Sequence, residues 1–257
     1  VLSTGTVMEN LHPFGISITA VSKKRYFIFS ALGACLGYIV CGVDAYGARY
    51  LAATVMAGLG AYAAFTFDLN YRPAFSMALS FLLCLATGIV LCFRLNAEAK
   101  DYVLIIAESI LCCGGAFFFY RALNSNVKRL RFKALPISDL TCIVISLSIL
   151  LLNLSALQIG AFSPARALSV LLVLTTIRFG GDRWGLLLAL SIGFALSISS
   201  SGSVFLVGAL AFSAMMSGLF SSLSNLGIGI SFLCSMGFFC AEISGKLATA
   251  VFIECVL

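Results

Sequence analysis

The sequence predicts an all-α, polytopic transmembrane helical bundle, and three observations carry that expectation. The 257 residues are 61% hydrophobic and only 10% charged, with a mean hydropathy of +1.10, far from the composition of a soluble domain. The apolar residues lie in long runs broken by single charges, not in the alternation of outer-membrane barrel strands. In hydrocarbon every backbone N–H and C=O must then find a partner within its own segment, and a helix does this unaided. The same composition excludes a soluble catalytic domain, a nucleic-acid-binding module and a disulfide-stapled secreted fold.

A membrane-crossing helix needs about 20 apolar residues, with about 17 to 25 tolerated. The first candidate, Tyr26–Cys41, follows the Lys23-Lys24-Arg25 cluster, and the second, Tyr46–Phe67, lies between Asp44 and Asp68. Pro73–Phe93 is bounded by Arg72 and Arg94, and Tyr102–Tyr120 by Asp101 and Arg121. Leu140–Leu157 follows Asp139, Pro164–Ile177 stops at Arg178, and Trp184–Ile198 begins after Arg183. Val204–Phe220 and Gly227–Ala241 bring the count to nine spans. Several are short for a full crossing and require a thin bilayer or helix ends that extend into the loops. Pro13–Val21 and Leu247–Leu257 are partial helices, so residues 1–257 are expected to be a single integral membrane domain truncated at both ends.

Loop charge orients this bundle, because Lys and Arg collect on the cytoplasmic side. Alternate loops starting at Lys23 hold eleven basic residues: Lys23, Lys24, Arg25, Arg72, Arg121, Lys128, Arg129, Arg131, Lys133, Arg178 and Arg183. The other loops hold five, Arg49, Arg94, Lys100, Arg166 and Lys246. The Arg121–Asp139 loop is then cytoplasmic, and a helix starting outside after Gly245 delivers whatever follows Leu257 into the cytoplasm. No secretory signal peptide is expected, since the Lys23 cluster follows the first apolar piece. The net charge of +6 is mainly this topological signal, with an anionic-lipid contact at Arg121, Lys128, Arg129, Arg131 and Lys133 as the alternative.

Glu108 is the first candidate for a functional residue. It lies about 9 Å along the span that starts at Tyr102, and a carboxylate there costs a few kcal/mol, about 2.5–3.5 on insertion scales. The structural reading is that Glu108 bonds a serine or backbone group and fixes helix register; no second intramembrane acid or base stands near it in the sequence. Glu254 is the only similar case. Asp182 and Arg183 read as solvated loop residues. His12, the single histidine, lacks Cys, Asp or Glu at metal-ligand spacing, and the ten cysteines form no C-x-x-C pair, so they read as small buried hydrophobes.

Small residues recur at four-residue spacing: Gly33 with Gly37, Ala53 with Ala57, Gly60 with Ala64, Ser213 with Ser217, and Ala214 with Gly218. Such pairs let helix backbones approach closely, within the bundle or between copies. A transporter would show helices broken mid-span, whereas Gly180-Gly181 and the serine-rich 199–203 segment fall between spans. No nucleophile elbow, phosphate loop or His-Glu-x-x-His motif is present, so no catalytic or cofactor-binding residue is expected in this stretch.

The order of features resembles the N-terminal membrane domain of the stage II sporulation protein E family. The residues that carry the likeness are Pro13-Phe14-Gly15, Lys23-Lys24-Arg25, Ala31-Leu32-Gly33, Leu36-Gly37-Tyr38, Asp101-Tyr102, Glu108 and the stretch Phe118 to Leu123. They continue through Ala165-Arg166 before Val170, Gly180-Gly181 with Gly185, Ala211-Phe212-Ser213, Ser217-Gly218-Leu219-Phe220, and Gly227 with Gly229. Each motif is weak alone; their order and spacing cover nearly the whole chain. The resemblance implies an intact domain of about ten spans, each of about 20 residues, followed by a cytoplasmic linker and a metal-dependent serine phosphatase that uses Mn or Mg. It implies localisation in the bacterial cytoplasmic membrane at the division septum and self-association. Its implied partners are a tubulin-like division protein and an anti-anti-sigma factor, whose dephosphorylation activates a forespore sigma factor. None of the phosphatase's metal-binding aspartates is in this chain, so the implied role is anchoring and targeting. The alternative is a small-molecule transporter or channel using Glu108.

Overall fold

A computed structural model describes residues 12–22, 26–41, 45–66, 73–125, 136–155, 162–199, 204–221, 224–242 and 246–256. All regular elements of any length among them are α-helices: α1 (Phe14–Val21), α2 (Phe27–Cys41), α3 (Ala45–Thr66), α4 (Pro73–Leu95), α5 (Ala99–Asn124), α6 (Ile137–Leu154), α7 (Pro164–Gly180), α8 (Asp182–Ser199), α9 (Phe205–Leu219), α10 (Asn225–Glu242) and α11 (Lys246–Val256). Each of the nine apolar runs coincides with one helix of α2–α10 to within a few residues, and the two partial runs are α1 and α11.

The helix ends follow local chemistry. All four prolines stand at helix starts: Pro13 and Pro136 immediately before α1 and α6, Pro73 and Pro164 as first residues of α4 and α7. There the missing N–H removes no helical hydrogen bond and the fixed φ already suits the first turn. Glu98 and Asp101 form a reciprocal capping box at the start of α5, with the Glu98 N–H donating to Asp101 Oδ2 at 3.1 Å. α4 closes with Asn96 in the left-handed region, φ 49°, and the Ala97 N–H returning to the Cys92 carbonyl at 3.0 Å. Gly181, φ 96°, turns the chain from α7 into α8, a conformation that a side chain would strain.

Three helices are long and apolar enough to cross a membrane: Pro73–Leu95, Ala99–Asn124 and Ile137–Leu154. Shorter apolar stretches lie at Phe27–Ile39, Phe205–Leu219 and Asn225–Ala241. The expected count of nine spans is therefore not confirmed: length and apolarity single out three helices, with several shorter apolar ones beside them. The gap has a composition cause: α3 spans 22 residues but includes Arg49, three glycines and three tyrosines. The helices also expose large apolar side chains such as Phe29, Leu36, Phe93, Val103 and Leu226, faces that suit lipid rather than water.

The sequence reads as a single membrane domain over residues 1–257, and within it the helices gather into two compact units. The first contains α1–α5 and the first half of α6. In it α4 packs along α5, α3 along both α2 and α4, and the eight-residue α1 touches all four of α2–α5. The second contains the rest of α6 and α7–α11, with α8 against α7 and α9, α10 against α9, and α11 against α7 and α10. Gly193 shows how tight this packing is: an added Cβ would lie 2.8 Å from the Val207 Cα, so the α8 and α9 backbones touch.

Candidate functional site

α5 buries one stripe, Ile105, Glu108, Ser109, Cys112, Gly115, Ala116 and Phe119. Its three- and four-residue spacing is that of one helix face. Glu108 is therefore turned into the first unit, and its side chain is fully buried. Two consecutive residues of α3 meet it. The Arg49 guanidinium donates to Oε2 in an ion pair, and the Tyr50 hydroxyl donates to Oε1 at 2.5 Å. Arg49 also covers the Tyr50 ring, with Cζ 4.8 Å from its centroid, and reaches Cys84 Sγ at 3.7 Å.

The network continues into α1. Tyr50 Oη accepts the His12 N–H at 3.1 Å, and the Tyr38 hydroxyl donates to the His12 carbonyl at 2.8 Å. The two tyrosine rings stack 5.2 Å apart at an interplanar angle of 13°, and the His12 ring presents an edge to each. Gly15 is required here by space, since an added Cβ would collide with the Tyr38 hydroxyl. On the far side of α1, Ser17 Oγ donates to the Cys112 carbonyl at 2.8 Å. Ile16, Ala20, Ala34, Tyr38, Tyr50, Ala53, Ala57, Cys84 and Cys112 enclose these polar groups in one apolar cluster. Both Glu108 oxygens are thus occupied by protein donors; Arg49 Nε is a buried donor without a protein partner.

This geometry corrects the sequence reading in two respects. Arg49, counted above among loop residues, is a buried residue of α3, 6% exposed. It is also the base that the sequence reading did not find beside Glu108, and with Tyr50 it takes the place expected for a serine or backbone group. The pairing links positions 59 apart in sequence, and periodicity along one helix carries no signal of it. The available hint was an arginine just inside an apolar run, which also fits a side chain reaching for the interface.

A second buried carboxylate behaves comparably in the other unit. Glu254 of α11 accepts from Arg166 Nε at 2.6 Å through Oε2. Its Oε1 accepts both Arg166 Nη2 at 2.7 Å and the Ser163 N–H at 2.6 Å. Arg166 is two residues past Pro164, so Glu254 binds a guanidinium in a fork and also caps the start of α7. Arg166, also assigned to a loop by charge counting, is thus the third residue of a helix.

Among the residues assigned to the basic loop, Arg121 lies in the last turn of α5, where Nε donates to Asp139 Oδ1 at 2.8 Å and Nη2 to Ser138 Oγ at 3.0 Å. Lys128, Arg129, Arg131 and Lys133 lie outside the described residues, as do Lys23, Lys24 and Arg25. The packing pairs divide. Gly37 is buried and Gly33 exposed, the latter with open space where a Cβ would stand. Ser213, Ala214, Ser217 and Gly218 are buried within the second unit, where an added Cβ on Gly218 would lie 3.0 Å from Asp182 Cβ on α8. Among the described residues no three His, Cys, Asp or Glu side chains gather in a metal-binding group. Compared with family models, curated proteins and solved structures, the chain matches none.

Proposed function

We propose that this chain is the membrane-anchoring and septum-targeting domain of a sporulation serine phosphatase, one that acts on an anti-anti-sigma factor to activate a forespore sigma factor. The observation that carries the choice of anchor is the closure of Glu108: both oxygens are held by Arg49 and Tyr50 inside an apolar cluster. A carboxylate so occupied organises a bundle and offers no open oxygen to a passing substrate. The order of motifs from Pro13 to Gly229 supports the family assignment. On this reading nine helices, α2–α10, cross the bacterial cytoplasmic membrane, the 121–139 loop is cytoplasmic, and α11 leads inward. The phosphatase and its Mn or Mg would lie beyond this chain, and contact with a tubulin-like division protein or a second copy would accompany targeting.

The test is a fluorescent fusion of the whole protein in sporulating cells, with a forespore sigma reporter as second readout. Removing residues 1–257 should disperse the signal from the septum, and Glu108→Gln should weaken localisation. Undiminished septal recruitment without residues 1–257 would overturn the anchor reading.

A second reading is favoured by α1. At eight residues it is about 12 Å long, too short to cross a bilayer, it is buried among four helices, and it starts beside the His12–Tyr50–Glu108 network. Transporters use short helices that begin inside the bundle in this way. Solute flux in proteoliposomes that Glu108→Gln abolishes would favour transport over anchoring.

A further inference from the structure

The packing of the two units, each taken by itself, follows one plan. In the first, α1 touches α2, α3, α4 and α5, and the other packed pairs run in chain order, α2 with α3, α3 with α4 and α4 with α5. In the second, α7 touches α8, α9, α10 and α11, and α8 packs with α9, α9 with α10 and α10 with α11. Among the described residues the packed pairs of α1–α5 and of α7–α11 therefore correspond one for one. The registers agree as well. α3 buries Arg49, Tyr50, Ala53, Thr54, Ala57 and Gly58, and α9 buries Ala209, Leu210, Ser213, Ala214, Ser217 and Gly218 at the same spacing. Both stripes close on Gly-Leu, Gly58-Leu59 and Gly218-Leu219. α5 buries Ile105 and Glu108 and exposes Val103, Ile106 and Ile110; α11 buries Val251 and Glu254 and exposes Thr249, Phe252 and Val256. The two acids open similar runs, Glu108-Ser109-Ile110-Leu111 and Glu254-Cys255-Val256-Leu257. A shift of one residue turns a helical side chain by about 100°, so agreement of both helix pairs fixes the alignment of the two units.

We propose that α1–α5 and α7–α11 are two copies of one five-helix module, and that in each copy the carboxylate of the fifth helix holds the start of the first. Both first helices begin at an X-Pro pair, His12-Pro13 and Ser163-Pro164. In each copy the N–H of the residue before the proline is tied to the carboxylate. Ser163 donates directly to Glu254 Oε1 at 2.6 Å; His12 donates to Tyr50 Oη at 3.1 Å, and that hydroxyl donates to Glu108 Oε1. The copies differ in which helix supplies the guanidinium. In the second it is Arg166, two residues past the proline. At the matching position of the first stands Gly15, where an added Cβ would collide with the Tyr38 hydroxyl. The first copy uses Arg49 of its third helix instead, and the matching residue of the second is Ala209, followed by Leu210 where the first has Tyr50. The cation has changed helices, while the carboxylate and the N–H that it holds have kept their places. Glu254 and Arg166 are thus positioning residues for α7, as Glu108, Arg49 and Tyr50 are for α1.

The experiment moves the cation between matching positions of the intact protein in vesicles and reads amide hydrogen exchange, by mass spectrometry, in the peptide that covers Ser163. Arg166→Ala should raise exchange there about tenfold, the loss of a hydrogen-bonded charge pair. Adding Ala209→Arg should reverse most of that rise, because Ala209 stands where Arg49 stands in the first copy. Adding Ser213→Arg instead, one turn along α9, should not. Leu210→Tyr, close in volume, should restore part of the protection by placing a hydroxyl where Tyr50 has one, and it decides the matter if Ala209→Arg misfolds. With no other change, Glu108→Gln should raise exchange at the start of α1 alone, and Glu254→Gln at the start of α7 alone. Rescue by either Ala209→Arg or Leu210→Tyr supports the matched positions. Absence of rescue from both, equal rescue by Ser213→Arg, or failure of either carboxylate variant to free its own first helix would overturn the proposal.

Discussion

The two compact units solve one problem, a carboxylate buried among helices, in different ways. In the first, Glu108 is held side-on by consecutive residues of α3, with exposures of 3% for the Arg49 side chain and 0% for Glu108, and the network runs on through tyrosines into α1. In the second, Glu254 meets Arg166 in a two-bond fork and also accepts a backbone N–H, and Arg166 keeps 12% of its side chain exposed. The first arrangement is a side-chain network that links α5 and α3 to Tyr38 of α2 and to the start of α1. The second ties a side-chain pair to a helix terminus, which satisfies the backbone of α7 as well as the charge. The difference teaches that how deeply the paired arginine is buried, rather than the presence of an ion pair, sets how much each acid matters.

The largest expected effect breaks the enclosed pair. Arg49→Met should leave Glu108 buried and unpaired, at a cost of about 3–5 kcal/mol, read as loss of unfolding midpoint in detergent. The double variant Arg49→Met with Glu108→Met should recover most of that loss, because an apolar pair of similar volume is close to neutral. No recovery would mean that the pair does more than neutralise itself. Glu254→Gln should cost less, about 1.5–3 kcal/mol, since the amide oxygen can still accept the Ser163 N–H and Arg166 retains a path to the surface. Equal losses at Glu108 and Glu254 would erase the distinction between the units.

Tyr50→Phe removes one donor to Glu108 and the acceptor for the His12 N–H, and should cost about 1–2 kcal/mol. Hydrogen exchange at the start of α1 should rise in that variant, and unchanged exchange there would show that α1 does not depend on the network. Smallest of all, Arg121→Ala removes a pair whose arginine side chain is 44% exposed. A pair at that exposure is worth about 0–1 kcal/mol, so thermal unfolding should move little.

The helices were legible because apolar runs, prolines and charges mark their limits: Pro73 and Arg94 frame α4 within two residues, and Asp101 and Arg121 bound the apolar run that forms most of α5. Glu108 was legible as an acid in an apolar run. Its partner was not, because nothing local distinguishes Arg49 from an arginine that reaches out to the interface. Arg166 escaped notice for the same reason, and Tyr38, Tyr50 and His12 converge only once α1 is wedged among α2–α5. The shortness expected of several runs is seen in α2 and α9, which are helices as expected but only 15 residues each.

The wide sequence separation of the two ion pairs has a consequence for how the chain is made. Glu108 follows Arg49 by 59 positions and Glu254 follows Arg166 by 88. At ribosomal speeds of about 5–20 residues per second, Arg49 waits about 3–12 s for its counter-ion. During that interval Arg49 has no carboxylate from α5 to pair with. The order of synthesis thus places the cation first and the anion second in both units, making late arrival of α5 and α11 the steps that commit each unit to its final burial.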